Sequence, residues 1–218
     1  MKDVIILLVI FMKKRLLITG TLLLIMSIVF TILITKVDIS NIGPENSAVG
    51  FASINSKLTF NYNETIYKIS EYLGYVALLI PVVYAGFGFI QLIKNKSFKK
   101  INRELYILAG FYAVILLTYV LFEKLTLNYR PVILDEGLEA SFPSSHTLMS
   151  LCFSISAIIA NKSMFKDKFK LVNILLLILG VSIVLTRYIS GVHWFTDIVG
   201  SVLISSTYIT YFKALIKK

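Results

Sequence analysis

Residues 16–35 contain no charged side chain. A helix needs about 20 such residues to cross the hydrocarbon core of a bilayer. Five more apolar blocks follow, at about 72–93, 105–122, 146–160, 171–189 and 194–212. The composition agrees: 57% of the residues are apolar and 16% charged, against roughly 45–50% and 25% in soluble domains. Disorder is excluded, because disordered chains are apolar-poor and charge-rich. The pattern implies an all-α, polytopic membrane bundle of six transmembrane helices. Residues 16–35, preceded by Lys13, Lys14 and Arg15, read as a retained anchor rather than a cleaved signal. Residues 4–11 are too few to span and read as interfacial. Pro81 falls inside the second block, where a membrane helix tolerates it. The block 146–160 is short and is expected to start high in the bilayer or to pack inside the bundle.

The net charge of +10 does not point to nucleic acid, because the basic residues punctuate the apolar blocks instead of lining one helix face. Assuming six spans, sixteen of the 22 basic residues fall on one side: in residues 1–15, in the loops 94–103 and 162–170, and at the C-terminus. Positive loops stay in the cytoplasm. Both termini are therefore expected inside, with residues 1–15 as a cytoplasmic or interfacial segment and 16–218 as one six-helix domain. Segments 37–70, 123–146 and 187–194 then face outward, and part of 37–70 is expected to form a short helix on the membrane. Cys152, the only cysteine, has no partner for an intramolecular disulfide.

Two outward segments are unusual. One reads EKLTLNYRPVILDEGLEASFPSSHT and the other TRYISGVHWFTD; together they hold both histidines of the chain. Ionisable groups at membrane depth are costly and default to functional candidates. His193 and Asp197 are four apart at a helix start, so they share a face. A carboxylate there holds one imidazole N–H and leaves the other nitrogen as nucleophile or base. Pro143, Ser144 and Ser145 read as the cap of a helix carrying His146, and the amides of such an end cradle phosphate. Arg187, Arg130 and Lys124 add three cations. Each feature alone has an ordinary explanation: a boundary lysine snorkels, a serine pair caps, and H-x-x-x-D arises by chance. Their convergence suits a doubly charged phosphate.

These residues resemble the three-part signature of the type 2 phosphatidic acid phosphatase superfamily, K-x6-R-P, P-S-G-H and S-R-x5-H-x3-D. The third part is present as Thr186, Arg187, His193 and Asp197, and the second as Pro143-Ser144-Ser145-His146. The first is one residue short, since Lys124 precedes Arg130 by five intervening residues and Glu123 holds the lysine position. The resemblance implies a lipid phosphate phosphatase whose site lies at the extracytoplasmic helix ends. His193 would be the nucleophile, Asp197 its orienting carboxylate and His146 the general acid and base. Arg130, Arg187, Ser144, Ser145 and Lys124 would hold the phosphate. No cofactor or metal is implied, and the run Asp135, Glu136, Glu139 reads as a solvated face. Undecaprenyl diphosphate, phosphatidylglycerol phosphate and phosphatidic acid all remain open as substrates, with a lean to the first. A non-catalytic lipid-phosphate binder or flippase, and a phosphatase of soluble esters, are the alternatives. The bilayer and the lipid are the expected partners, and nothing points to an obligate protein partner.

Overall fold

The computed structural model describes residues 2–135 and 137–217, with side chains for 7–135, 137–166 and 168–217. Within them the chain is helical: α1 (Lys2–Ile34), α2 (Ala52–Leu58), α3 (Glu64–Asn95), α4 (Arg103–Leu125), α5 (Ser145–Phe165), α6 (Lys170–Ile189) and α7 (Phe195–Ile216). All but the short α2 are long and apolar enough to cross a membrane.

Helix boundaries moved where local chemistry favoured extension. Residues 4–11 continue α1 as regular helix, because no glycine or proline separates them from the span. At α3 the helix begins well before residue 72. Asn63 caps it, accepting from the Ile66 N–H at 3.0 Å, and Glu64 follows in the first turn where the helix dipole favours an anion. The connection after α1 is thus shorter than the expected 37–70. It contains α2, the short helix anticipated there.

α5 is the axis of the bundle, with half of its apolar window buried against 17% for α1. Leu148, Cys152, Phe153 and Ala157 of α5 pack against Leu108, Tyr112 and Ile115 of α4 and Phe212 of α7. Small hydroxyl residues let the backbones approach closely, as membrane helix pairs require in the absence of a hydrophobic drive. Ser205 on α7 donates to the Leu148 carbonyl of α5 at 3.3 Å, and Gly180 of α6 lies against Ser154. α1 packs along α7, where Ser27 and Thr207 share a buried hydrogen bond of 3.1 Å. The outward surfaces of α1, α3, α4 and α6 carry exposed Leu, Ile, Val and Phe. A multi-pass membrane protein has the lipid to cover them.

Candidate active site

The ends at which α5 and α7 begin are fastened together. The Ser201 hydroxyl donates to the Ser144 carbonyl at 2.9 Å and to the Asp197 carbonyl at 2.8 Å, while the Ser144 N–H donates to the Asp197 carbonyl at 3.4 Å. Ser144 caps α5 as its sequence suggests, accepting from the Thr147 N–H and donating to the Thr147 hydroxyl. Its own hydroxyl is engaged by that cap. On α7, an Asp197 Oδ2 oxygen accepts the Trp194 N–H at 2.9 Å and stands 3.6 Å from His193 Nδ1. One carboxylate thus caps the helix and faces the imidazole. Neither His193 nitrogen has a hydrogen bond of good geometry to the protein, although the ring is 1% exposed and lies against the Ser141 backbone. Buried polar atoms are rarely left so without a reason.

Burial holds His193 well below the ordinary histidine value of 6.5, and Arg130, Arg187 and His146 push it further the same way. Three of the four other basic groups named by the sequence, all but Lys124, therefore act on this ring, which is kept neutral. The linkage has a testable sign. Below about 6.5 the unfolded chain takes up a proton that the folded chain refuses, so stability falls with falling pH by up to about 1.4 kcal/mol per pH unit for this group. Thermal unfolding in detergent is expected to show that slope, and His193→Asn to remove its share.

The turn bearing His193 is strapped from outside. Gly191 has φ +69° and packs against the Phe60 and Asn61 backbone. Any side chain there meets both a left-handed conformation and a wall of peptide. The Asn63 N–H donates to the Ser190 carbonyl at 2.9 Å. Buried Asn55 of α2 accepts the Thr196 N–H at 3.1 Å and donates to its hydroxyl at 2.9 Å, satisfying an orphan amide of the first turn of α7. No sequence motif marked Asn55.

Arg130 sits in a loop held as a narrow ladder. Its N–H donates to the Glu139 carbonyl at 3.0 Å, and the Ser141 N–H to the Asn128 carbonyl at 2.8 Å. Trp194 Nε1 donates to the Tyr129 carbonyl at 2.7 Å and ties this ladder to α7. Arg130 Nη2 pairs with Glu139 Oε2 at 3.0 Å. Glu139 is thus a partner of the site and not a solvated residue; Glu136 lies outside the described residues. Arg187, fully buried in the last turn of α6, pairs through Nη2 with Glu71 of α3. The Tyr67 ring lies 5.2 Å from its guanidinium carbon. On both arginines, Nε and Nη1 are buried and unpartnered. Two guanidinium groups with idle donors are suited to the oxygens of a phosphate.

A cavity of about 540 Å³ is lined by Arg130, His146, Glu71, Tyr67, Lys68 and Glu139 among others, with Arg187 and His193 buried behind that lining. His146 Nε2 lies 3.5 Å from the Glu71 Oε1 that also binds Arg187. The ring reaches this position because Gly74, three residues along α3, has no side chain: a Cβ there would stand 2.6 Å from His146 Cδ2. Gly74→Ala is expected to displace the imidazole by about 1 Å and lower kcat/KM by about 10²-fold. Gly110→Ala, where a Cβ meets nothing within 4 Å, is the matched control in the same phosphate-release assay.

Of the residues singled out in the sequence, His146, His193, Asp197, Arg130, Arg187, Ser144 and Ser145 gather at one end of the bundle. Lys124 is exposed near the end of α4 and does not line the cavity. Its neighbour Glu123 instead reaches the pocket shared with Ser145 and Pro143. Lys68, which no motif marked, lines the main cavity. Tyr67, Glu71 and Gly74 were likewise unmarked, because α3 carries no part of the three-part signature.

Residues 81–218 match the family model described as the PAP2 superfamily. No curated protein matches the chain. Among solved structures, the chain is similar to one described as the first transmembrane PAP2-type phosphatidylglycerolphosphate phosphatase from Bacillus subtilis. The two share 17% identity with a TM-score of 0.59, over 90% of this chain and 94% of that one. With well over half of its residues inside that family model, and its helices in the fold of a solved member, the chain belongs to the PAP2 superfamily.

Proposed function

We propose that this phosphatase removes the terminal phosphate of a membrane lipid phosphate or diphosphate, without a metal ion, through a phosphohistidine intermediate. The observation that carries the reading is the buried pair Arg130 and Arg187, each with idle N–H donors, acting on a buried neutral imidazole. His193 Nε2 attacks phosphorus while Asp197 faces Nδ1 and stabilises the imidazolium that forms. The bond from phosphorus to the lipid oxygen breaks, and His146 supplies the proton that this oxygen takes. Water then attacks the phosphohistidine; His146 accepts its proton, the P–N bond breaks and phosphate leaves. Arg130 and Arg187 hold the equatorial oxygens as charge redistributes. At the start of α5 the backbone amides, including that of Ser145, complete the cradle, since the Ser144 hydroxyl is engaged in its cap.

A lipid substrate is supported by an apolar groove of about 400 Å³ between α3 and α6, lined by Val76, Leu79, Val83, Phe87, Leu175 and Leu179. It begins five residues beyond Glu71 on α3, so a headgroup in the cavity has a hydrocarbon path beside it. The distribution of basic loops supports a site on the extracytoplasmic face and both termini in the cytoplasm. The neighbour from Bacillus subtilis is a phosphatidylglycerolphosphate phosphatase, which supports trying that lipid alongside undecaprenyl diphosphate and phosphatidic acid.

The test is release of inorganic phosphate from each lipid and from a water-soluble phosphate ester, in detergent with chelator present. Release from a lipid that disappears in His193→Ala is the expected result. Equal rates in wild type and variant would make the protein a binder, and a preference for the soluble ester would remove the lipid from the account.

A further inference from the structure

We infer that Glu71 is a resident anion of the phosphate site, which an incoming phosphoryl group must displace from Arg187, so that α3 sets the affinity of the enzyme for its substrate and for inorganic phosphate. The inference rests on the proposed phosphatase reading of the same site. It starts from geometry. One oxygen, Glu71 Oε1, pairs with Arg187 Nη2 and stands 3.5 Å from His146 Nε2. Those are the two groups between which a phosphoryl oxygen would lie on its way from the lipid to His193. Arg187 is wholly buried, so in the absence of a ligand it needs a counter-charge from the protein. Glu71 provides it, while its own side chain stays 24% exposed at the cavity wall. The guanidinium is fixed from a second side by the Tyr67 ring. It can therefore change anions without moving.

The wall is built for this exchange. Tyr67, Glu71 and Gly74 lie at helical spacing on one face of α3. The first stacks on Arg187, the second binds it, and the third admits the His146 ring. A carboxylate has one negative charge and two oxygens, whereas a phosphate dianion has two charges and three equatorial oxygens. The dianion wins Arg187 because it also engages the idle Nε and Nη1 donors that Glu71 leaves unpaired. The displaced side chain turns to the open cavity, where Lys68, paired with Glu64 at 2.6 Å, lies three residues back on α3. Arg130 has an analogous partner in Glu139 at 3.0 Å, but Glu139 belongs to the same loop as its arginine and does not approach His146 in the same way.

A competing carboxylate reduces apparent affinity by the fraction of time it occupies the site. Glu71→Gln keeps the shape and the acceptor but removes the charge. We expect it to lower the inhibition constant of inorganic phosphate and the KM about tenfold, with kcat reduced as product leaves more slowly. A purely structural glutamate would give the opposite, a raised KM and weaker phosphate. Phosphate affinity is read at equilibrium, by the rise in unfolding temperature with added phosphate, as well as by inhibition. If Glu71→Gln does not purify folded, Glu71→Asp, which keeps the charge but withdraws it by one methylene, is expected to tighten phosphate by a smaller factor. Phosphate affinity unchanged or weakened in the folded variant overturns the inference and leaves the phosphatase reading intact. Failure of the wild type to bind phosphate overturns both.

Discussion

Replacing His193 with alanine is expected to reduce phosphate release to the uncatalysed background and to remove the phosphorylated enzyme that rapid acid-free quenching traps from the wild type. Removing a covalent nucleophile costs more than removing any other group of its unit, on the order of 10⁴-fold or more in kcat. The prediction is specific about cause. The ring is almost fully buried, with the Ser141 backbone and the Asp197 carboxylate beside it and no hydrogen bond of good geometry at either nitrogen. Deleting it leaves the Ser144, Asp197 and Ser201 contacts in place, and the protein should remain folded in detergent with its α5–α7 fastening intact. A phosphate-releasing variant would mean that water is activated directly, and the phosphohistidine scheme would be wrong. A folded, inactive variant that still raises its unfolding temperature with phosphate would separate chemistry from binding.

Arg187→Lys is the second large effect. The substitution keeps a positive charge yet loses the planar fork, and with it the idle Nε and Nη1 donors and the stacking on Tyr67. Loss of one preorganised donor set at a developing charge costs about 10²–10³-fold in rate, and kcat/KM is expected to fall by that amount. The loss should appear in kcat as well as KM if, as proposed, Arg187 binds oxygens whose charge grows in the transition state. An effect confined to KM would assign the arginine to ground-state binding alone.

The six spans could be read from hydropathy because a bilayer imposes a length on each apolar block, and α4, α6 and α7 end within a few residues of the expected positions. His193, Asp197 and Arg187 could be read for a different reason: they lie within eleven residues of each other, so local spacing alone fixes their common location. Glu71 and Asn55 could not. Glu71 meets Arg187 across 116 positions of sequence, and Asn55 meets Thr196 across 141. A glutamate near the start of an apolar block resembles any membrane-boundary residue, and an asparagine in a polar connection resembles any loop residue. The extension of α3 back to Glu64 was missed for a related reason, since an Asn63 cap and a mixed first turn carry no apolar periodicity. The lysine of the first motif illustrates the converse. Its presence in the sequence suggested a ligand, but α4 turns Glu123, not Lys124, towards the start of α5.

The bolt that joins the first turns of α5 and α7 divides the enzyme into a part that lipid thickness can perturb and a part that it cannot. Helices answer a thicker or thinner bilayer by tilting. A tilt of α5 or α7 pivots on the shared Ser144, Asp197 and Ser201 contacts, so the spacing between the two imidazoles is insulated from the host membrane. α3 has no such bolt to α5 at that end, only the Glu71 side chain near His146 and the bare flank of Gly74. Changes in membrane composition should accordingly register as changes in how readily a lipid enters, while the speed of the chemical step stays constant.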